Sequence, residues 1–215
     1  MELAAQASAG DAGDAAVAAV ADAEARALAH PQLEESCDAH AAELGSLVAD
    51  GVADGVVVAV GECGLDYDRL HFCPARVQKL GFEAQLRLAG ERGVPLFLHS
   101  RATGGDFLSV CEASAAQLRA SGGGVVHSFD GSADDLDGLL SLDLGLEIGL
   151  NGCSLRTEAN LAVAAQVPLS KLHLETDAPW CSVKRTHAGH SSTRALPYPV
   201  AKKASAWVEG GTVRD

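Results

Sequence analysis

The 215 residues include 16 Lys and Arg against 29 Asp and Glu, a net charge of -13, with 47% hydrophobic and 4% aromatic residues. This is the composition of a globular chain and excludes wholesale disorder. The acidic balance excludes nucleic-acid binding through a broad basic surface, and no apolar run approaches the roughly 20 residues that span a bilayer.

Residues 1–29 are rich in Ala, Gly and Asp. They are expected to form an extension, either helical in part because of their alanines or disordered. The start of the chain lacks a basic region followed by an apolar stretch, so neither a signal nor a transit peptide is expected. From residue 56 a regular alternation begins. The apolar run 56–62 (VVVAVGE) predicts a strand buried on both faces. Residues 77–92 carry Val77, Leu80, Phe82, Leu86, Leu88 and Ala89 at helical spacing. Strands are expected at 95–99, 124–127, 144–150 and 171–177. Helices are expected at 106–120, 132–140 and 157–166, the last capped by Thr157. Gly122, Gly123 and Gly124 read as a turn.

Strands alternating with helices imply parallel pairing through right-handed crossovers. The spacing suits a (β/α) barrel, in which about 250 residues form eight units. A doubly wound open sheet has similar spacing. The expected class is α/β, a partial TIM (β/α) barrel with about five recognisable βα units of eight.

Four of these five strands run into a residue able to bind metal: Glu62, His99, His127 and Asp177. In a parallel barrel the C-terminal strand ends converge on one face, so these residues are expected to meet. Two imidazoles and two carboxylates suit zinc, manganese or a similar divalent ion. Glu62 is the candidate bridge between two metals. Asp177 is the candidate ligand that also orients the attacking water and takes its proton. Arg101 is a candidate for holding a substrate phosphate, and Asp66 a candidate for orienting the ligands or contacting substrate. Each has a plainer reading. Glu62 can pair with Arg69, Asp177 can serve only as a turn residue before Ala178-Pro179, and Arg101 can form a surface ion pair. His173, inside a strand, reads as structural; His71, His187 and His190 have no ligand-like spacing. Lys184, Arg185, Arg194, Lys202 and Lys203 form a basic cluster that offers either help with an anionic substrate or a solvated loop.

The six cysteines, Cys37, Cys63, Cys73, Cys111, Cys153 and Cys181, are scattered and form no CxxC pair. They read as reduced thiols of an intracellular protein, cytoplasmic or nuclear.

The segments GECGLDYDR (61–69), FLHSR (97–101), VVHSFDG (125–131), IGLNGCSLRTEANL (148–161), ETDAPWC (175–181) and THAG (186–189) resemble, in order, the TatD-like deoxyribonucleases, and most closely their eukaryotic branch. The resemblance covers roughly 56–190, and more weakly from His30-Pro31. It implies a TIM barrel, dependence on divalent metal (two ions in the intact family site, Mg, Mn or Zn) and 3′-5′ exonuclease-like hydrolysis of DNA. The positions matching Glu62, His99, His127 and Asp177 are metal ligands in the family. DNA is the implied substrate and a monomer the implied state. An early strand with an HxH pair, expected of the family, has no counterpart. The chain is expected to be a barrel truncated at both ends, with residues 1–29 an extension and 30–215 the hydrolase domain. Two other readings remain open: a non-catalytic fragment retaining part of a metal site, and an amidohydrolase-like enzyme acting on C–N or ester bonds.

Overall fold

Alanine is the strongest helix former, and in the computed structural model, which describes residues 2–193, Glu2–Ala29 is one continuous helix, α1. A second helix, α2, spans Leu33–Ala53 and buries Gly45 and Val48. The sequence reading had assigned nothing there. Two compact units follow the chain, Met1–Gly122 and Gly123–Asp215.

In the first unit, strand β1 (Val60–Asp66) runs parallel to β2 (Leu96–Arg101), and helix α3 (Ala75–Arg92) makes the crossover. Helices α4 (Asp106–Ala113) and α5 (Ala115–Ser121) complete the unit. Leu65, Phe82, Leu86, Leu96, Leu98 and Leu118 are fully buried. The Phe82 ring stacks on Phe107 with centroids 5.3 Å apart. Burying a side chain of this size contributes about 1.5–3 kcal/mol.

The structure corrects two expectations here. The first strand begins at Val60 and not at 56, and Val56 and Val58 are exposed. The amides of Val56 and Val57 both donate to the Gly51 carbonyl at the end of α2, which draws this stretch out of any strand ladder. The single helix expected over 106–120 is broken at Ser114.

In the second unit, β3 (Gly124–Val126), β4 (Leu146–Leu150) and β5 (Leu172–Leu174) pair in parallel, Val126 opposite Ile148 and Ile148 opposite Leu172. Helix α6 (Ala133–Ser141) joins β3 to β4, and α7 (Glu158–Ala164) lies between β4 and β5. Both helices begin in a capping box: the Asp135 amide donates to Ser132 Oγ at 3.1 Å, and the Asn160 amide to Thr157 Oγ1 at 3.1 Å. Such a cap is worth about 1 kcal/mol. Gly122 and Gly123 take positive φ in the expected turn.

Strand β5 is shorter than read, and Leu174 at its end is exposed. His173 lies within β5, as read, on its exposed side, where its Nε2 meets Glu147 of β4. Lys184 and Arg185 are exposed loop residues; Arg194, Lys202 and Lys203 lie outside the described residues.

Candidate metal centre

Glu62, Asp66, His99 and Arg101 lie in the first unit, and His127 and Asp177 in the second. In the first, the register between β1 and β2 steps from Gly61 opposite Phe97 to Cys63 opposite Leu98. Glu62 is therefore the inserted residue of a β-bulge, a device that re-aims a side chain out of the regular alternation. Its Oε1 lies 2.7 Å from His99 Nδ1. His99 Nε2 in turn stands 3.5 Å from Asp66 Oδ2, and Arg101 donates to the same carboxylate oxygen at 3.5 Å. Glu62, Asp66, His99 and Arg101 are thus gathered along two adjacent parallel strands. Glu62 and His99 sit inside the strands and not at their ends, because β1 continues to Asp66 and β2 to Arg101.

The Glu62–His99 pair fits a divalent cation. Two ligand atoms on one ion at about 2.0–2.2 Å stand roughly 3 Å apart, close to the spacing seen here. A carboxylate beside an imidazole is also the donor combination that zinc and manganese accept. The Glu62 side chain is 48% exposed and that of His99 only 16%, which leaves the carboxylate reachable from solvent. The neighbouring Cys63 thiol is pushed up to about 12, first by burial and then by the Glu62 charge, so it stays a neutral packing residue.

In the second unit, His127 directly follows β3 and is buried. Glu175, just beyond β5, faces it: Oε2 lies 3.4 Å from His127 Nδ1, and Oε1 accepts the Ser128 amide. Ser128 takes a left-handed φ of 51°, and its hydroxyl accepts from Asn151 Nδ2 at 2.5 Å. Gly149 of β4 leaves room for this arrangement. A Cβ there would meet Glu175 Oε1 at 2.8 Å and His127 Cα at 3.1 Å.

Asp177 is exposed, with φ 50°, and its Oδ2 accepts the Cys181 thiol at 3.2 Å. Burial, then the contacts with Cys153 and Asp177, push the Cys181 thiol up to about 12. The sequence reading had overlooked Glu175 and Asn151. The first lay in view, two residues before Asp177 in the ETD run. Asn151 had no such signal, because its partner Ser128 is distant in the chain.

A third group lies near β1. Tyr67 donates its hydroxyl to Asp106 Oδ2 at 2.6 Å, and Lys79 Nζ stands 2.6 Å from the same oxygen. Lys79, then Tyr67, hold the Asp106 carboxyl below its usual range, while burial and the Asp106 contact raise the Tyr67 phenol.

The family model described as TatD related DNase matches residues 24–209. The "Deoxyribonuclease Tat-D" of Schizosaccharomyces pombe is 50% identical over 162 residues, covering 75% of this chain and 51% of that protein. The "3'-5' ssDNA/RNA exonuclease TatD" of Edwardsiella piscicida is 40% identical over 158 residues, covering 70% and 58%. The crystal structure of a hydrolase TatD family protein from Entamoeba histolytica superposes with a TM-score of 0.68 at 32% identity, over 80% of this chain and 55% of that one. The chain thus spans about half the length of the curated relatives it matches. Its fold is α/β, and its solved neighbours are TatD and amidohydrolase proteins of the TIM-barrel type. On the family match and the shared fold, this chain belongs to the TatD-related DNase family.

Proposed function

We propose that this chain hydrolyses DNA phosphodiester bonds in the manner of a 3′-5′ exonuclease, with divalent cations held by Glu62, His99, His127 and Asp177. The observation that carries the reading is the 2.7 Å approach of Glu62 to His99 on neighbouring strands, in a chain of this family. Two ions, from among magnesium, manganese and zinc, are the proposed complement.

Bound cations would supply the positive charge that lowers the pKa of a water and offsets charge on a phosphoryl oxygen. The rest falls to the chain's own side chains. Asp177 takes a proton from the attacking water. Arg101 binds a substrate phosphate: its guanidinium has five N–H donors, so the contact with Asp66 fixes its direction without exhausting it. Asp66 orients both His99 and Arg101. Glu175 orients His127 in the same way. Local cations also answer the charge problem that a net charge of -13 poses to a polyanionic substrate.

We further propose that residues 30–215 form the hydrolase domain and 1–29 an extension. The acting form is taken to be a monomer in the cytoplasm or nucleus. No helix among the described residues is long and apolar enough to cross a membrane.

The test is release of nucleotides from end-labelled oligonucleotides with Mg2+, Mn2+ or Zn2+, beside a panel of small amides and lactones. Release from DNA alone, lost in Glu62→Gln and in Asp177→Asn, is the expected result. Turnover of amides or lactones without DNA cleavage overturns the substrate assignment. Binding of metal with no turnover of any substrate overturns the catalytic one.

A further inference from the structure

Two thiols in the second unit form a pair that the hydrolytic reading does not use. Cys153 opens the short 3-10 turn after β4, and Cys181 lies in the loop after β5. Their Sγ atoms are 3.0 Å apart although the residues are far apart in the chain, and both are free thiols. The surroundings hold both partners in place. Asn151 Oδ1 accepts the Cys153 amide at 2.9 Å, fixing the turn. The Cys181 carbonyl passes so close to Gly152 that a Cβ there would stand 1.9 Å from it. Cys153 is buried, and Cys181 is partly open to solvent. Arg156 Nη2 stands 3.7 Å from Cys153 Sγ, a cation placed where negative charge develops during thiol chemistry. At its other side, Cys181 donates its S–H to Asp177 Oδ2 at 3.2 Å.

We propose that Cys153 and Cys181 are a reversible redox site: oxidation joins them in a disulfide and withdraws the S–H donor from Asp177. The coupling to Asp177 rests on the proposed metal site; the disulfide itself does not. A disulfide needs the sulfurs to close to about 2.05 Å, roughly 1 Å less than the 3.0 Å that separates them here. With hydrogen peroxide as oxidant, the Cys181 sulfur attacks one peroxide oxygen as Asp177 Oδ2, which accepts its S–H, draws off the proton, and the O–O bond breaks. The thiol proton ends on the departing oxygen, giving a sulfenic acid and one water. The Cys153 sulfur then attacks the Cys181 sulfur, the S–O bond breaks, and the departing hydroxide takes the Cys153 proton as a second water. Both sulfurs are oxidised by one electron each, and one peroxide is reduced to two waters. A dithiol reductant reverses the change by exchange.

Asp177 would lose a neighbour that fixes its carboxylate. Partners of this kind around metal ligands typically change affinity by about 10–100-fold. The experiment treats the full chain with peroxide, maps cross-linked peptides by mass, and titrates Mn2+ into the reduced and oxidised forms. The expected result is a Cys153–Cys181 cross-link, reversed by dithiothreitol, and Mn2+ affinity at least about tenfold weaker when oxidised. Cys153→Ser, with Cys153→Ala as a second variant and melting curves as a check on folding, should form no such cross-link. Both should keep the reduced form's Mn2+ affinity under peroxide. Failure of the native protein to form this cross-link overturns the proposal, as does a cross-linked protein with unchanged Mn2+ affinity. A reduced protein that binds no Mn2+ overturns the metal site and the coupling, while the peptide mass still decides the disulfide.

Discussion

Glu175, two residues before the acid that the sequence singled out, is the carboxylate that stands against His127, with Oε2 at 3.4 Å from Nδ1 and Oε1 on the Ser128 amide. One side chain thus restrains the imidazole and satisfies the backbone of the following turn. Glu175→Gln keeps an oxygen for the amide and removes the charge facing His127. Metal affinity is expected to fall about 10–100-fold with little change in melting temperature. Isothermal titration with Mn2+, next to a thermal melt, checks both halves of this outcome.

Glu62→Gln and Asp177→Asn preserve shape at exposed positions and remove the charge proposed to hold metal. DNA hydrolysis is expected to drop by about 10²–10⁴-fold for Asp177→Asn, the usual range for loss of a positioned proton acceptor. Far-ultraviolet circular dichroism should be unchanged. Activity within a few-fold of the parent would remove Asp177 from the mechanism.

Chelation offers a test that needs no substitution. A ligand present at 100 times its Kd stabilises the folded state by about 2.7 kcal/mol. Stripping metal with a chelator should therefore lower the melting temperature and abolish nuclease activity, and restoring Mn2+ should reverse both. Melting curves that coincide with and without chelator would count against a resident cation.

The Asp106 cluster sets a pH dependence. Lys79 and then Tyr67 depress the Asp106 carboxyl in the folded state. Its contribution to stability is therefore present above the ordinary value of 3.8 and is lost as pH falls through the depressed folded value. Asp106→Asn should melt below the parent at neutral pH, with the gap closing progressively as pH drops under 3.8. A gap constant down to strongly acidic pH would contradict this.

Phe82 is the largest fully buried side chain among the described residues and stacks on Phe107. Phe82→Ala should destabilise by about 3–5 kcal/mol, a large share of the roughly 5–15 kcal/mol typical of a domain. Urea unfolding followed by fluorescence measures it.

The elements most legible in the sequence were those with a local signature. The periodic apolar positions from Val77 to Ala89 mark α3, and the Thr157 cap marks α7, because each signal lies within a single helix. The run at 56–60 misled because hydrophobicity alone does not reveal that the Val56 and Val57 amides are claimed by Gly51. Helix α2 passed unread among small residues, whose weak contrast hides a buried face. At the site, residue types were readable and geometry was not. Nothing in GECGL announces a bulge at Glu62, since the bulge depends on how β1 meets β2. Asn151 and Glu175 serve partners more than twenty residues away, a relationship that no local pattern encodes.

The left-handed backbone at Asp177 has a further implication. An L-residue with φ near 50° gives up conformational energy that glycine would recover, and aspartate is among the side chains that tolerate this region best. Replacing Asp177 with glycine should thus yield a sturdier molecule that has lost its acid. Folding stability and the carboxylate therefore pull in opposite directions at this one position, and a stability screen alone would discard the acid.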